Sequence, residues 1–145
     1  MKLDRILVTT DFSPGDRSTV QRAIDLAAKL GVAEITLFHA HAEPILTEFG
    51  VGEPVGRENE MHDEVLARLS KWCEELSTAQ VRLTPRTRGG RPAHAIVDVS
   101  DDFDLIVMAS HGGGGAKHFL LGSTTDRVVR GARCDVWVVR VPQAG

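Results

Sequence analysis

Apolar residues gather in five short runs along the chain: Ile6-Leu7-Val8, Ile35-Thr36-Leu37-Phe38, the weaker Val81-Arg82-Leu83, Leu105-Ile106-Val107-Met108, and Val136-Trp137-Val138-Val139. Most of these runs are continuous rather than alternating. A strand that is apolar at every position is covered on both faces, which is the condition of a parallel sheet wrapped by helices. Segments of helical period lie between the runs. Ser13-Pro14-Gly15-Asp16 predicts a helix start, with Ser13 as N-cap, Pro14 in the first helical position and an acid three residues beyond the cap. Val20, Ala23, Ile24, Ala27 and Leu30 then recur at helical spacing up to Gly31, a natural stop. Met61, Val65, Leu69, Trp72 and Leu76 mark a longer helix. A shorter one runs from Pro92 through Ala95 and Ile96 to Val99, and a fourth starts near Ser123 and carries Val128 and Val129.

The alternation of strand and helix predicts an α/β fold, a doubly wound five-stranded parallel sheet with helices on both faces, because parallel neighbours need right-handed crossover helices. In such sheets ligands sit beyond the carboxyl ends of the strands. The segment from Glu43 to Asn59, rich in Gly and Pro, predicts a loop entering the second helix and placed to cover a site at that edge. The length of 145 residues fits one domain, residues 1–145, long enough to bury roughly two thirds of the surface the unfolded chain exposes.

Composition narrows the function classes. Apolar residues are 42% and charged residues 26% of the chain, and a net charge of -3 supplies no concentrated positive field for nucleic acid or an anionic membrane. Arg82, Arg86, Arg88 and Arg91 are the one basic concentration. Lacking interleaved aromatics, they suit a solvated face better than a single-strand nucleic-acid platform. Cys73 and Cys134 have neither CxxC spacing nor a His/Cys partner set, which argues for reduced, mostly buried thiols. No run approaches the ~18 apolar residues that span a bilayer, and the N-terminal run is too short for a signal-peptide core. A cytoplasmic protein is expected.

The main chemical signal follows the fourth run. Ala109-Ser110-His111-Gly112-Gly113-Gly114-Gly115 succeeds a buried strand directly, and Gly122-Ser123-Thr124-Thr125 opens the next amphipathic segment. Glycines let backbone approach a ligand without Cβ collisions, and the second segment adds amides, hydroxyls and the positive end of a helix dipole. Thr9-Thr10-Asp11 after the first strand and His39-Ala40-His41 after the second end at the same predicted edge. Together these segments suit a polyphosphate. The chain has no GxxxxGK[ST], which excludes a P-loop, and its glycines follow the fourth strand without the later ribose-binding acid of the dinucleotide fingerprint. Asp11 also has a local alternative role, orienting the turn after its strand.

These residues carry a resemblance that covers the whole chain. It rests on Ile6-Leu7-Val8-Thr9-Thr10-Asp11-Phe12-Ser13, on Leu37-Phe38-His39-Ala40, and on Ala109-Ser110-His111-Gly112 followed by nine residues to Gly122-Ser123. Arg127-Val128-Val129-Arg130 and Cys134-Asp135-Val136-Trp137-Val138-Val139 complete it. The chain resembles a single-domain universal stress protein of the ATP-binding subclass, whose motif Gly-x2-Gly-x9-Gly-Ser/Thr is met here by Gly112, Gly122 and Ser123, with Ala109 at its first position. The resemblance implies a Rossmann-like, adenine nucleotide α-hydrolase-like fold and a stress-response role. It places Asp11 and the backbone at Ala40 on the adenine or ribose, and Gly112, Gly122, Ser123 and Thr124 on the phosphates of ATP, alone or with Mg²⁺. Thr9 and Ala109 complete the expected nucleotide-binding set. It also implies a homodimer formed by pairing Val136 to Val139 across a two-fold axis, which would cover an exposed sheet edge. Ala109 keeps a second function open, a dimeric protein-interaction module that binds no nucleotide.

Binding rather than turnover is the expected act. No residue pair has the look of a nucleophile with its base and no Lys occupies a phosphate-loop position, so efficient phosphoryl transfer lacks its usual parts. Slow hydrolysis or autophosphorylation at Ser110, Ser123 or Thr124 stays open. His39, His41 and His111 come from separate loops without ligand-like spacing, which favours structural or solvated roles, and no metal site is expected. A flavodoxin-like electron-transfer domain is disfavoured, because the chain has no Tyr and no evident ring-stacking loop.

Overall fold

In a computed structural model, residues 2–42, 56–111 and 121–141 are described, with residues 56–59 described by backbone alone. Each apolar run is a strand: β1 (Ile6–Thr9), β2 (Glu34–His41), β3 (Arg82–Gly89), β4 (Leu105–Ala109) and β5 (Asp135–Val139). The helices between them are α1 (Asp16–Leu30), α2 (Gly56–Leu76), α3 (Pro92–Val99) and α4 (Ser123–Gly131). All strand pairs are parallel and the order is β3-β2-β1-β4-β5. The sheet is therefore doubly wound, and the order reverses between β1 and β4, the switch point beyond whose strand ends such sheets form a crevice.

The continuous apolar pattern has a direct cause in β1. Ile6 and Val8 join the layer that holds Val20, Ala23, Ile24 and Ala27 of α1 with Leu69 and Trp72 of α2. Leu7 points the other way, into the layer of Ala95, Ile96 and Val99 of α3 with Val128 of α4. Phe38 in β2 and Ile106 in β4 are fully buried in that same second layer. None of the described helices is long and apolar enough to cross a membrane.

Three elements, α1, β3 and the start of α2, differ from the sequence expectation. Helix α1 starts at Asp16 with Gly15 as N-cap, not at Pro14 with Ser13 as cap. Ser13 and Pro14 belong instead to the preceding turn, where the Ser13 carbonyl accepts the Asp16 amide at 3.0 Å and Asp11 Oδ1 accepts the Ser13 amide at 2.9 Å. The C-terminal stop is as expected, with Gly31 left-handed at φ 73° and the Val32 amide reaching the Ala27 carbonyl at 2.8 Å. Strand β3 runs well beyond Leu83 to Gly89, because Arg86, Thr87 and Arg88 continue the ladder opposite Phe38, His39 and Ala40. Pro85 is tolerated there because β3 is an edge strand. Arg82, Arg86 and Arg88 lie on the solvated side of that edge and pair with Glu34, Asp102 and Asp98.

Of the expected loop from Glu43 to Asn59, residues 43–55 lie outside the described residues and residues 56–59 are instead the first turn of α2, while the glycine stretch from Gly112 also lies outside them.

Candidate functional site

The carboxyl ends of β1, β2 and β4 come together as the topology requires. Thr9 closes β1 opposite Phe38, and the Thr10 amide continues the ladder by donating to the Phe38 carbonyl at 2.9 Å. His39, Ala40 and His41 are the last residues of β2 itself rather than a loop after it, which corrects the expectation of separate loops. His39 Nδ1 lies 2.7 Å from the Thr10 carbonyl, an acceptor only, so this nitrogen carries the proton. Thr87 gives its hydroxyl proton to the His39 carbonyl at 2.7 Å, and its oxygen then accepts from His41 Nδ1 at 3.0 Å. These two histidines therefore tie β2 to its neighbours. No group of three or more His, Cys, Asp or Glu that could hold a metal ion occurs among the described residues.

The turn after β1 is built on a buried acid. Asp16 Oδ2 accepts the Thr10 hydroxyl and the Asp11 amide, each at 2.8 Å, and the Thr10 oxygen accepts the Phe12 amide at 2.8 Å. Phe12 adopts φ 62°, the left-handed region that costs a bulky residue roughly 1–2 kcal/mol. Its ring is held by three neighbours: His39 with centroids 4.7 Å apart, Trp72 edge-on at 5.4 Å, and the Arg68 guanidinium 4.0 Å from the ring centre. Helix α2 is latched further by Arg17, which lies over Trp72 at 4.5 Å and pairs with Glu75. The consequence is an exposed Asp11 on a rigidly defined turn.

A second set of contacts joins the end of β4 to the start of α4. Thr125, itself buried, donates its hydroxyl to the Ala109 carbonyl at 2.8 Å, and the Gly122 amide donates to the Ser110 carbonyl at 2.8 Å. Ser110 also anchors β5, since its amide donates to the Val139 carbonyl at 2.8 Å and its hydroxyl oxygen accepts the Val141 amide at 3.2 Å. His111 Nδ1 lies 3.2 Å from the same hydroxyl. Val141 in turn packs against Gly15, where an added Cβ would come within 2.6 Å of its methyl. The two loops flanking the crevice between β1 and β4 are thus in contact through the chain's C-terminal segment.

The expected site residues divide accordingly. Thr9, Asp11, Ala40, Ala109, Gly122, Ser123 and Thr124 all stand at this one edge, and Gly112 lies outside the described residues. The Gly122 amide, counted from sequence as a free donor, is engaged by Ser110. The first bond of α4 runs from the Asp126 amide to the Gly122 carbonyl, so the amides of Ser123, Thr124 and Thr125 precede any intrahelical acceptor. The missed residues are Asp16, Thr10 and Phe12, whose roles come from tertiary contacts. Among reactive groups, burial pushes the Cys73 thiol up to about 11 and raises Cys134 as well, so neither is an activated nucleophile.

Comparison with known proteins places this architecture. The model of the universal stress protein family matches residues 2–140. Universal stress protein A homolog 2 of Coxiella burnetii is 31% identical over 142 residues, covering 94% of each chain. A universal stress protein of Mycolicibacterium smegmatis is 29% identical over 140 residues, but these span 45% of that longer relative. The universal stress protein UspA of Lactobacillus plantarum has the same fold, with a TM-score of 0.79 at 23% identity over 97% of this chain and 99% of that one. Two more distant structures of the fold carry ligands. A universal stress protein in complex with cAMP has a TM-score of 0.67 at 20% identity, covering 96% of this chain and 98% of its own. An Arabidopsis thaliana family protein with AMP bound has a TM-score of 0.59 at 15% identity, covering 95% and 92%. With the family model spanning nearly its whole length, this chain belongs to the universal stress protein family.

Proposed function

We propose that this protein binds an adenine nucleotide, ATP in particular, at the edge formed by β1, β2 and β4, and acts in stress response as a binding module rather than an efficient enzyme. The observation that carries the proposal is the pair of contacts, Gly122 to Ser110 and Thr125 to Ala109, that brings the start of α4 against the end of β4 beside the Asp11 turn. Structures of the same fold with cAMP and AMP support the ligand class. Asp11 would accept from ribose hydroxyls or the adenine amine, the backbone at Ala40 would meet the base, and Thr9 and Ala109 would line the floor. Gly112, Gly122, Ser123 and Thr124 would shape the phosphate end, where amides and the helix dipole favour negative charge, with or without Mg²⁺.

The test is a calorimetric titration with ATP in the presence and absence of Mg²⁺. Wild-type protein is expected to bind, and Asp11→Ala to bind about 10- to 100-fold more weakly, as expected for losing a charge-assisted hydrogen bond. No heat at millimolar ATP would overturn the proposal and favour the second function, a protein-interaction module with Ala109 closing the site.

The edge position of β5 supports a homodimer in which Val136 to Val139 pair across a two-fold axis. The same preparation is then expected to sediment as a dimer at micromolar concentration, and a monomer would count against the pairing. The two cysteines are unpaired with each other, which suits the reducing cytoplasm.

A further inference from the structure

Asp16 lies beneath the candidate site rather than in it. The residue is 4% exposed, and its carboxyl takes both the Thr10 hydroxyl and the Asp11 amide. Thr10 in turn holds the Phe12 amide, so the left-handed turn hangs on this one carboxyl. Burial pushes Asp16 up to about 6, and a side-chain hydrogen bond with Asp11 and the Asp11 charge act in the same direction, against the Thr10 hydroxyl and Asp11 amide that favour the ionised form.

We propose that Asp16 is a positioning residue of the nucleotide site, whose charge state selects between an Asp11 carboxylate held inward by the Asp16 carboxyl and one turned toward the donors of an adenine nucleotide. The proposal rests on the nucleotide-binding function above. With a proton on Asp16, its O–H donates to the Asp11 carboxylate, whose Oδ1 also accepts the Ser13 amide at 2.9 Å. When that proton leaves, two carboxylates face each other and repel. Ribose hydroxyls or the adenine amine then take the place of the lost proton as donors to Asp11. Binding is thereby linked to proton release, so it is tighter above the titration of the pair and weaker below it.

Among the described residues, the charged and titratable groups nearby have partners of their own. Arg17 on α1 is committed to Glu75 and Trp72, Arg68 on α2 to Phe12, His39 on β2 to the Thr10 carbonyl, and His111 after β4 to Ser110. Asp11 is the charged neighbour that shifts Asp16.

The test compares ATP affinity at about pH 5 and about pH 7.5 in wild type and in Asp16→Asn, whose amide donates to Asp11 at every pH. Titration of the ATP phosphates is common to both proteins and cancels. The rise in affinity with pH is expected to be about three- to tenfold larger in wild type than in the variant. A second measurement uses the same two proteins: titrations near pH ~6, in two buffers of different ionisation enthalpy, are expected to show more proton release on binding to wild type than to Asp16→Asn. Identical pH profiles, or equal proton release in the two proteins, would overturn the inference while leaving nucleotide binding intact. Absence of ATP binding at every pH would overturn both.

Discussion

Asp16→Asn is expected to be more stable than the wild type at about pH 7.5, by about 2–3 kcal/mol, and to lose that advantage by about pH 4. The buried carboxyl titrates at about 6 rather than its ordinary 3.8, chiefly because burial disfavours its charge. Between those values the folded chain holds a proton that the unfolded chain has released. Wild-type stability therefore falls as pH rises across that interval, by about 1.4 kcal/mol per pH unit, and stays reduced above it. Asn has no charge to bury and still offers an oxygen to the Thr10 hydroxyl and the Asp11 amide, the two donors Asp16 now accepts. Urea unfolding across this pH range measures the difference directly. A variant less stable than wild type at neutral pH would mean that the ionised carboxyl is held more favourably than its burial indicates. An acid that weakens the fold yet tunes the ligand site is the ordinary compromise between stability and function.

Phe38→Ala is expected to lower stability by about 3–5 kcal/mol, a large fraction of the roughly 5–15 kcal/mol typical of a domain. Phe38 is fully buried between the sheet and the α3–α4 layer, packed among Leu7, Ile96, Ile106 and Met108. Truncation removes the transfer energy of the ring and leaves a cavity that the flanking strands β1 and β3 cannot fill without breaking register. The Phe38 carbonyl also receives the Thr10 amide, so a shift of β2 loosens the Asp11 turn as well. The urea midpoint should fall with an unchanged slope. A loss below about 1.5 kcal/mol would show that this layer packs far less tightly than described.

The fold was legible because parallel strands buried on both faces leave continuous apolar runs, as Leu7 and Val8 facing opposite layers illustrate. The outer half of β3 was not legible. Thr84 to Gly89 carry no hydrophobic signal, being an edge strand whose pairing with β2 defines it. The start of α1 was misplaced because Ser-Pro-Gly-Asp suits both a helix cap and a turn, and only the Asp11 carboxyl on the Ser13 amide decides between them. At the site, the edge residues were named from the family resemblance and the glycine spacing. The Gly122 amide was misjudged, since its capture by Ser110 depends on how α4 returns to β4. Asp16 looked like the acid three residues beyond a Ser13 cap. Its bonds reach only five and six residues back, to Asp11 and Thr10, but its burial follows from how the turn after β1 packs.

The most direct test of nucleotide binding at this edge is amide chemical-shift mapping by NMR as ATP is added. The largest changes are predicted at Thr10 to Ser13, Ala40, Ala109 to His111, and Ser123 and Thr124, with β3 and the opposite edge of the sheet unmoved. Changes centred elsewhere, or none at saturating ATP, would contradict it.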